Sequence, residues 1–408
     1  MNSNYGIGGS TAAVELDKLK DMCADLRGID GSEYQQRIAR AQAIMQAQGI
    51  AAIYLNAGNN LAYFTGTHWY PSERMVGAIL PATGKVEYIA PYFELDTLTQ
   101  YMAVPGKVHT WHEHISPYQT FLDALVSLNI HEGNVGLDEA TPFFIANGIA
   151  QLTQSYQWLD AKPVTAGCRM HKSRQEIAIL QRAKDITLIV QQAAARILHP
   201  GITVTEVEQF IDAAHRRLGA SQGSYFCIVL FGEDTAYPHG VAKPKSLDTN
   251  DMVLIDTGCE LYGYHSDITR TYVFGQPNDR QRQVWEHEKQ AQLMAFNAAQ
   301  LDRPCAQVDQ AARSYLASVG YGPEYQLPGL PHRTGHGIGL DIHEWPYLVG
   351  NDATPLTKGM CFSNEPMLCI PGEFGVRLED HFYMTDDGPQ WFTQPSHSID
   401  NPFGYGVE

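Results

Sequence analysis

The chain has 408 residues, 44% of them apolar and 18% charged, which reads as a globular protein too long for one ordinary core, with two or three domains expected. Lys plus Arg total 28 against 45 Asp plus Glu, a net charge of −17; so acidic a surface repels phosphate backbones and anionic lipid, which argues against nucleic acid and membrane partners. Seven Cys without a CxxC pair make no disulfide framework, no apolar run is long enough to span a bilayer, and the N-terminus lacks a basic start followed by an apolar stretch, so a reduced, cytoplasmic protein is expected.

Residues 1–30 read as a leader with a short helix. From Ser32 to Gln48 apolar positions recur at helical spacing, and Gly49 follows as a stop. The runs AAIYLNAG, AYFTGT, VGAILPAT and VEYIAPYF, broken by Gly, Pro and Asn, read as strands. Helix and strand signals then alternate, giving an α/β domain over 31–160. KVHTWHEH carries His109, His112 and His114, read as exposed loop histidines.

Residues 161–173, with Pro163, Gly167 and a basic cluster, read as a linker to a second domain over 174–408. That domain opens with a long helix from about Gln175 to Ile197. Thr205, with Glu208 three residues on, suggests a capping box at the start of the next helix. Helices over about 279–299 and 306–319 separate strand-like runs: FCIVLFG, MVLIDTGCEL and ITRTYVFG before them, GMCFSNEPMLCI and GVRLEDHFYMT after. Helices followed by antiparallel strands indicate an α+β domain.

The second domain concentrates misplaced charge. Asp256 ends the apolar run MVLI, and Asp267 precedes ITRTYVF, with Tyr262-Gly263-Tyr264 between them as a turn. A hairpin there brings both carboxylates to one end, and Asp is depleted in strands. Glu365 and Glu379 each interrupt an apolar strand, where a bare carboxylate is expensive unless a cation or proton compensates it. His332, His336 and His343 alternate with Gly335, Gly337 and Gly339, whose missing side chains admit a close neighbour. Four carboxylates and an imidazole exceed the needs of one divalent ion. Two ions of the manganese, cobalt, iron or zinc class fit the donors, and such a pair acidifies a water and polarises a carbonyl, the chemistry of hydrolysis.

The ordered set D-x10-D, HxxxHGxGLxxHE, NEP and GVRLED resembles the pita-bread metallopeptidases, the family of methionine aminopeptidase, aminopeptidase P, prolidase and creatinase. The likeness covers residues 165–395 by motif and extends to 35–160 as the smaller creatinase-like N-terminal domain. It is strongest toward bacterial Xaa-Pro dipeptidases, in TGHGIGL and NEPMLCIPGEFGVRLEDH, with aminopeptidase P next. The resemblance implies a homodimer and two metal ions, manganese before cobalt or zinc. Asp256 would chelate one ion, Asp267 and Glu379 would bridge, and His336 and Glu365 would complete the second, with Glu365 also moving the proton. His239, His332 and His343 would handle the peptide, Arg377 would sit beside the bridging Glu, and Thr269 and Asp380 would orient ligands. Creatinase lacks these ligands, and methionine aminopeptidase usually lacks the long N-terminal domain. Many prolidases carry an Arg eleven residues after the ligand His, where this chain has Tyr347. Arg377 or Arg74 is then expected to receive the substrate carboxylate.

Overall fold

The computed structural model describes residues 5–407, which divide into two compact units, 29–169 and a second formed by the N-terminal segment through Gly28 together with 170 onward.

The first unit is a six-stranded mixed sheet. Its strands are β1 (Ile50–Asn56), β2 (Gly77–Pro81), β3 (Glu87–Pro91), β4 (Val108–Trp111), β5 (Gly133–Leu137) and β6 (Tyr156–Asp160), in the order β4-β3-β2-β1-β5-β6. Helices over Gly31–Gln48 and Pro117–Ser127 supply apolar faces, and Tyr54, Ile79, Phe121 and Val135 lie in the core. Gly49 ends the first helix in the left-handed conformation, at φ 66°, as its lack of a Cβ allows. Two expectations change here. AYFTGT is not a strand: Asn59–Thr65 is a helix with six buried residues, and burial on all sides overrides the strand preference of its aromatic and β-branched residues. His109 is not a loop residue either; it lies in β4 and contacts Glu87 on β3.

The expected linker is helical over Lys162–Arg169. The second unit then begins with a helix over Arg174–Ile197, closed at its start by a reciprocal Ser173–Glu176 box. In the next helix, Val204–Arg217, the box is Thr203–Glu206, not Thr205–Glu208: the repeat Thr-Val-Thr-Glu-Val-Glu offers two overlapping frames. The leader is part of this unit, with the Gly8 and Ser10 amides bonded to carbonyls of the long helix.

Three sheets follow. β7 (Ser224–Phe231), β8 (Met252–Leu261) and β10 (Ile268–Val273) form one in the order β10-β8-β7, with short β9 (Tyr264–His265) pairing β8. The second comprises β11 (Gly335–Gly337), β12 (Glu344–Leu348), β13 (Cys361–Asn364), β16 (Asp380–Thr385) and β17 (Gly388–Trp391), ordered β12-β11-β13-β16-β17. Between its members, β14 (Met367–Ile370) pairs with β15 (Phe374–Arg377) as a hairpin. All their pairings are antiparallel. Helices Asp279–Ala298 and Cys305–Ser318 share the core with these sheets through Val284, Trp285, Val308, Phe362 and Phe382.

Candidate metal centre

Asp256 is not at a hairpin end. It lies in the middle of β8, opposite Thr269 on β10 and Ile228 on β7, and is buried. The turn forms farther on, at Tyr262 and Gly263, both with positive φ. An ionised carboxylate inside a sheet needs a partner, and the Arg377 guanidinium supplies one to Asp256 Oδ2. Arg377 Nε donates to Thr269 Oγ1 at 3.1 Å, and Thr269 Oγ1 donates to Glu379 Oε2 at 2.8 Å. A relay of hydrogen bonds thus ties Asp256 to Glu379 across three strands. Burial opposes the charged form of Arg377, but the fields of Asp256, Glu365, Glu379 and Asp267 outweigh it and raise its basicity.

His336 sits on β11, hemmed in by neighbouring backbone. A Cβ at Gly335 would strike the Ser363 carbonyl, and one at Gly337 the Glu344 carbonyl, so only Gly-His-Gly lets this strand pack between β12 and β13. His336 Nδ1 bonds the Gly337 carbonyl at 3.0 Å, which leaves the Nε2 lone pair free for another partner. Nε2 lies 3.1 Å from Glu365 Oε1 and 3.7 Å from Asp267 Oδ2.

Glu365 and Glu379 occupy breaks in the strand pattern. Glu365-Pro366 separates β13 from β14, with the Glu365 amide bonded to the Thr334 carbonyl at 2.8 Å and its Oε1 accepting from Ser363 Oγ at 3.1 Å. Glu379 separates β15 from β16, its amide held by the Thr269 carbonyl at 3.1 Å. Interrupting the ladder aims each carboxylate away from the sheet plane and toward the others.

The electrostatics are those of crowded like charges. Asp267 is held well above the ordinary carboxylate range by burial first, then by Glu379, Asp256 and Glu365. Glu379 is raised by burial, then by Glu365 and Asp256. Glu365 moves the other way: burial raises it, but the close approach of His336 and the fields of His336, His332 and Arg377 prevail and lower it. Asp256 Oδ1, Asp267 Oδ1, Glu379 Oε1 and His336 Nε2 are buried without a hydrogen bond. Among the described residues three triads have donor atoms within 4.8 Å of one another: Asp267–His336–His343, Asp267–Glu379–His381 and His336–Glu365–Glu379. Orphaned anionic oxygens and an imidazole lone pair converging on one space fit divalent cations.

Four of the five expected ligands fall in those triads. Asp256 stands beside them, close enough for its carboxyl to bear directly on that of Asp267. His343 is exposed, with its ring 4.2 Å from that of His336. Although the residue is exposed at the surface, desolvation of its ring first, then the charges of His336 and Arg333, lower its basicity to about 4. His332 is half-buried, its Nδ1 bonded to the Arg333 carbonyl at 2.7 Å and its Nε2 unpaired. Exposed His239 is felt electrostatically by both His332 and His343. Asp380 acts at one remove: it holds Arg270 at 2.7 Å, and Arg270 donates to the carbonyls of Thr269 and Glu379 at 3.1 and 3.0 Å. The sequence reading missed Arg270 and His381. Fully buried His381 places Nε2 3.6 Å from Glu379 Oε1, and the only signal for it was its position two residues after Glu379. Arg377 is spent on Asp256, Thr269 and the Pro238 carbonyl, and Arg74 on Glu73 and Glu113, so neither fits the role of carboxylate receptor. The histidines of KVHTWHEH enter none of the triads.

Comparison with known proteins gives this geometry its context. Residues 178–386 match Metallopeptidase family M24, and residues 37–171 match the Creatinase/Prolidase N-terminal domain. A probable dipeptidase PepE of Mycobacterium tuberculosis is 34% identical over 370 residues, covering 89% of this chain and 95% of the relative. The crystal structure of dipeptidase PepE from Mycobacterium ulcerans superposes with a TM-score of 0.82 at 31% identity, over 91% of this chain and 99% of that one. A recombinant prolidase from Thermococcus sibiricus gives 0.79 at 29%, over 90% and 98%. The fold agrees with the pita-bread architecture expected of the second unit and the creatinase-like architecture expected of the first. The chain belongs to metallopeptidase family M24 and is a metal-dependent peptidase.

Proposed function

We propose that this chain is a cytoplasmic Xaa-Pro dipeptidase, hydrolysing the imido bond of dipeptides that end in proline. The observation that carries the reading is the convergence of Asp267, His336, Glu365 and Glu379, with Asp256 alongside, on one space that holds unpaired buried donor atoms. The substrate class is supported by relatives that bear the names dipeptidase and prolidase. Divalent ions bound there would supply an acidified water and a Lewis acid for the scissile carbonyl. The oxygen-rich donor set with one imidazole suits manganese, with cobalt or zinc as substitutes. A homodimer follows from the family likeness.

Each residue then has a task. Asp256, Asp267, His336, Glu365 and Glu379 hold the ions. Glu365, fixed by Ser363 and His336, takes a proton from the attacking water and passes it to the leaving nitrogen. That nitrogen is tertiary in an Xaa-Pro bond and must be protonated to depart. His343 donates a hydrogen bond to the developing oxyanion, and His332, whose Nδ1–H is given to the Arg333 carbonyl, offers its unpaired Nε2 as an acceptor to the peptide. His239 contacts the peptide from the exposed side. Arg377 positions Asp256 and, through Thr269, Glu379.

A second reading, aminopeptidase P, is kept by Tyr347, which stands where many prolidases carry Arg. Kinetics on Ala-Pro and Ala-Pro-Ala separate the two. A dipeptidase cleaves Ala-Pro with the higher kcat/KM; preference for the tripeptide would reassign the chain to aminopeptidase P.

A further inference from the structure

The acidic site needs a cation if it is to hold an anionic substrate, and most nearby cations are already engaged. Arg377 is committed to Asp256, and Lys172 to Glu344. Arg313 bonds Asp309 at 2.9 Å and the carbonyls of Glu324, Leu330 and His332. Arg333 differs. Among the described residues its guanidinium has no ion-pair partner and no hydrogen-bond acceptor; it lies over the ring of Tyr347, 4.3 Å from the guanidinium carbon to the ring centroid.

The register of the sheet puts this pair beside the metal centre. Tyr347 on β12 is directly opposite His336 on β11, and residues directly opposite in an antiparallel pair project to the same face, with Cβ atoms about 5 Å apart. The charge of Arg333 also registers at His343, whose ring touches that of His336. The platform is held from behind. The Tyr347 amide donates to Asp352 at 2.9 Å, the Thr334 amide and hydroxyl both donate to Asp309, and Arg313 grips the His332 carbonyl. Stacking on Tyr347 occupies one face of the guanidinium and leaves its in-plane N–H edge open, the edge that binds a carboxylate through two parallel hydrogen bonds.

We propose that Arg333, stacked on Tyr347, receives the C-terminal carboxylate of the dipeptide and is the residue that selects dipeptides over longer or capped substrates. The proposal rests on the Xaa-Pro dipeptidase reading. It replaces Arg377 and Arg74 in that role and lets Tyr347 serve as a platform where a charge was expected.

Metal-loaded enzyme should be assayed on Ala-Pro and on Ala-Pro amide, which lacks the carboxylate. The native enzyme is expected to prefer Ala-Pro, through KM. Arg333→Met should shrink the Ala-Pro to Ala-Pro amide ratio of kcat/KM roughly 10- to 100-fold, the scale of a charge-assisted hydrogen-bonded pair, and Arg333→Lys should restore part of it. A ratio unchanged in Arg333→Met, or both substrates losing equally while the protein stays folded by circular dichroism, would overturn the assignment and leave the dipeptidase reading standing. Native enzyme that cleaves neither substrate would overturn both.

Discussion

Two buried acidic sites, one in each unit, show what separates structural from functional burial. In the six-stranded unit, Asp138 accepts from the Asn56 amide at 2.7 Å, the Ala140 amide at 2.9 Å and the Thr141 hydroxyl at 3.1 Å. Both its oxygens are used, so it closes a turn and ties β5 to β1. In the second unit, Asp256, Asp267 and Glu379 each keep one oxygen without a hydrogen bond. Burial raises the pKa of Asp138, to about 7, with a smaller push from Glu139 that its backbone and Thr141 hydrogen bonds oppose; burial also raises Asp267 and Glu379, where two or more carboxylates of the same cluster push further. The first arrangement is complete in protein alone, whereas the second is complete only with cations.

The largest effect expected is on turnover. Glu365→Gln keeps the shape but removes the proposed proton carrier, and kcat on Ala-Pro should fall by roughly 10²- to 10⁴-fold with the circular dichroism spectrum unchanged. Retained turnover would move the proton role to another group and weaken the contrast between the two acidic sites.

A smaller effect sharpens the contrast in stability. In metal-free protein, Asp138→Asn turns an amide group toward backbone donors and should cost about 1–3 kcal/mol in urea unfolding. Asp267→Asn in the same metal-free protein should cost less, or stabilise, because it removes one of several repelling carboxylates. Equal losses from the two substitutions would mean that the Asp267 site is as self-sufficient as the Asp138 site.

Much of the centre was legible because it violates ordinary strand chemistry. Glu365 and Glu379 stood out as charges in apolar runs, and His336 as an imidazole between glycines that cannot carry a Cβ. What stayed hidden depends on partners distant in sequence. Arg333 looks like any surface cation until the register sets Tyr347 opposite His336. His381 reads as one more strand residue until its 3.6 Å approach to Glu379 is seen. The placement of Asp256 was read from its position after MVLI; the strand runs on through it, because β7 and β10 flank it on both sides. Asn59–Thr65 failed as a strand for a related reason, since local propensity yields to complete burial.

The central claim is that the five residues form a catalytic metal centre. Metal analysis combined with Ala-Pro hydrolysis tests it most directly, using protein stripped by chelator and then titrated with Mn²⁺. Two ions bound per chain, no turnover in the stripped protein and activity rising with occupancy are the expected results. Full turnover by the metal-free protein, or no bound metal at saturating Mn²⁺, would contradict it.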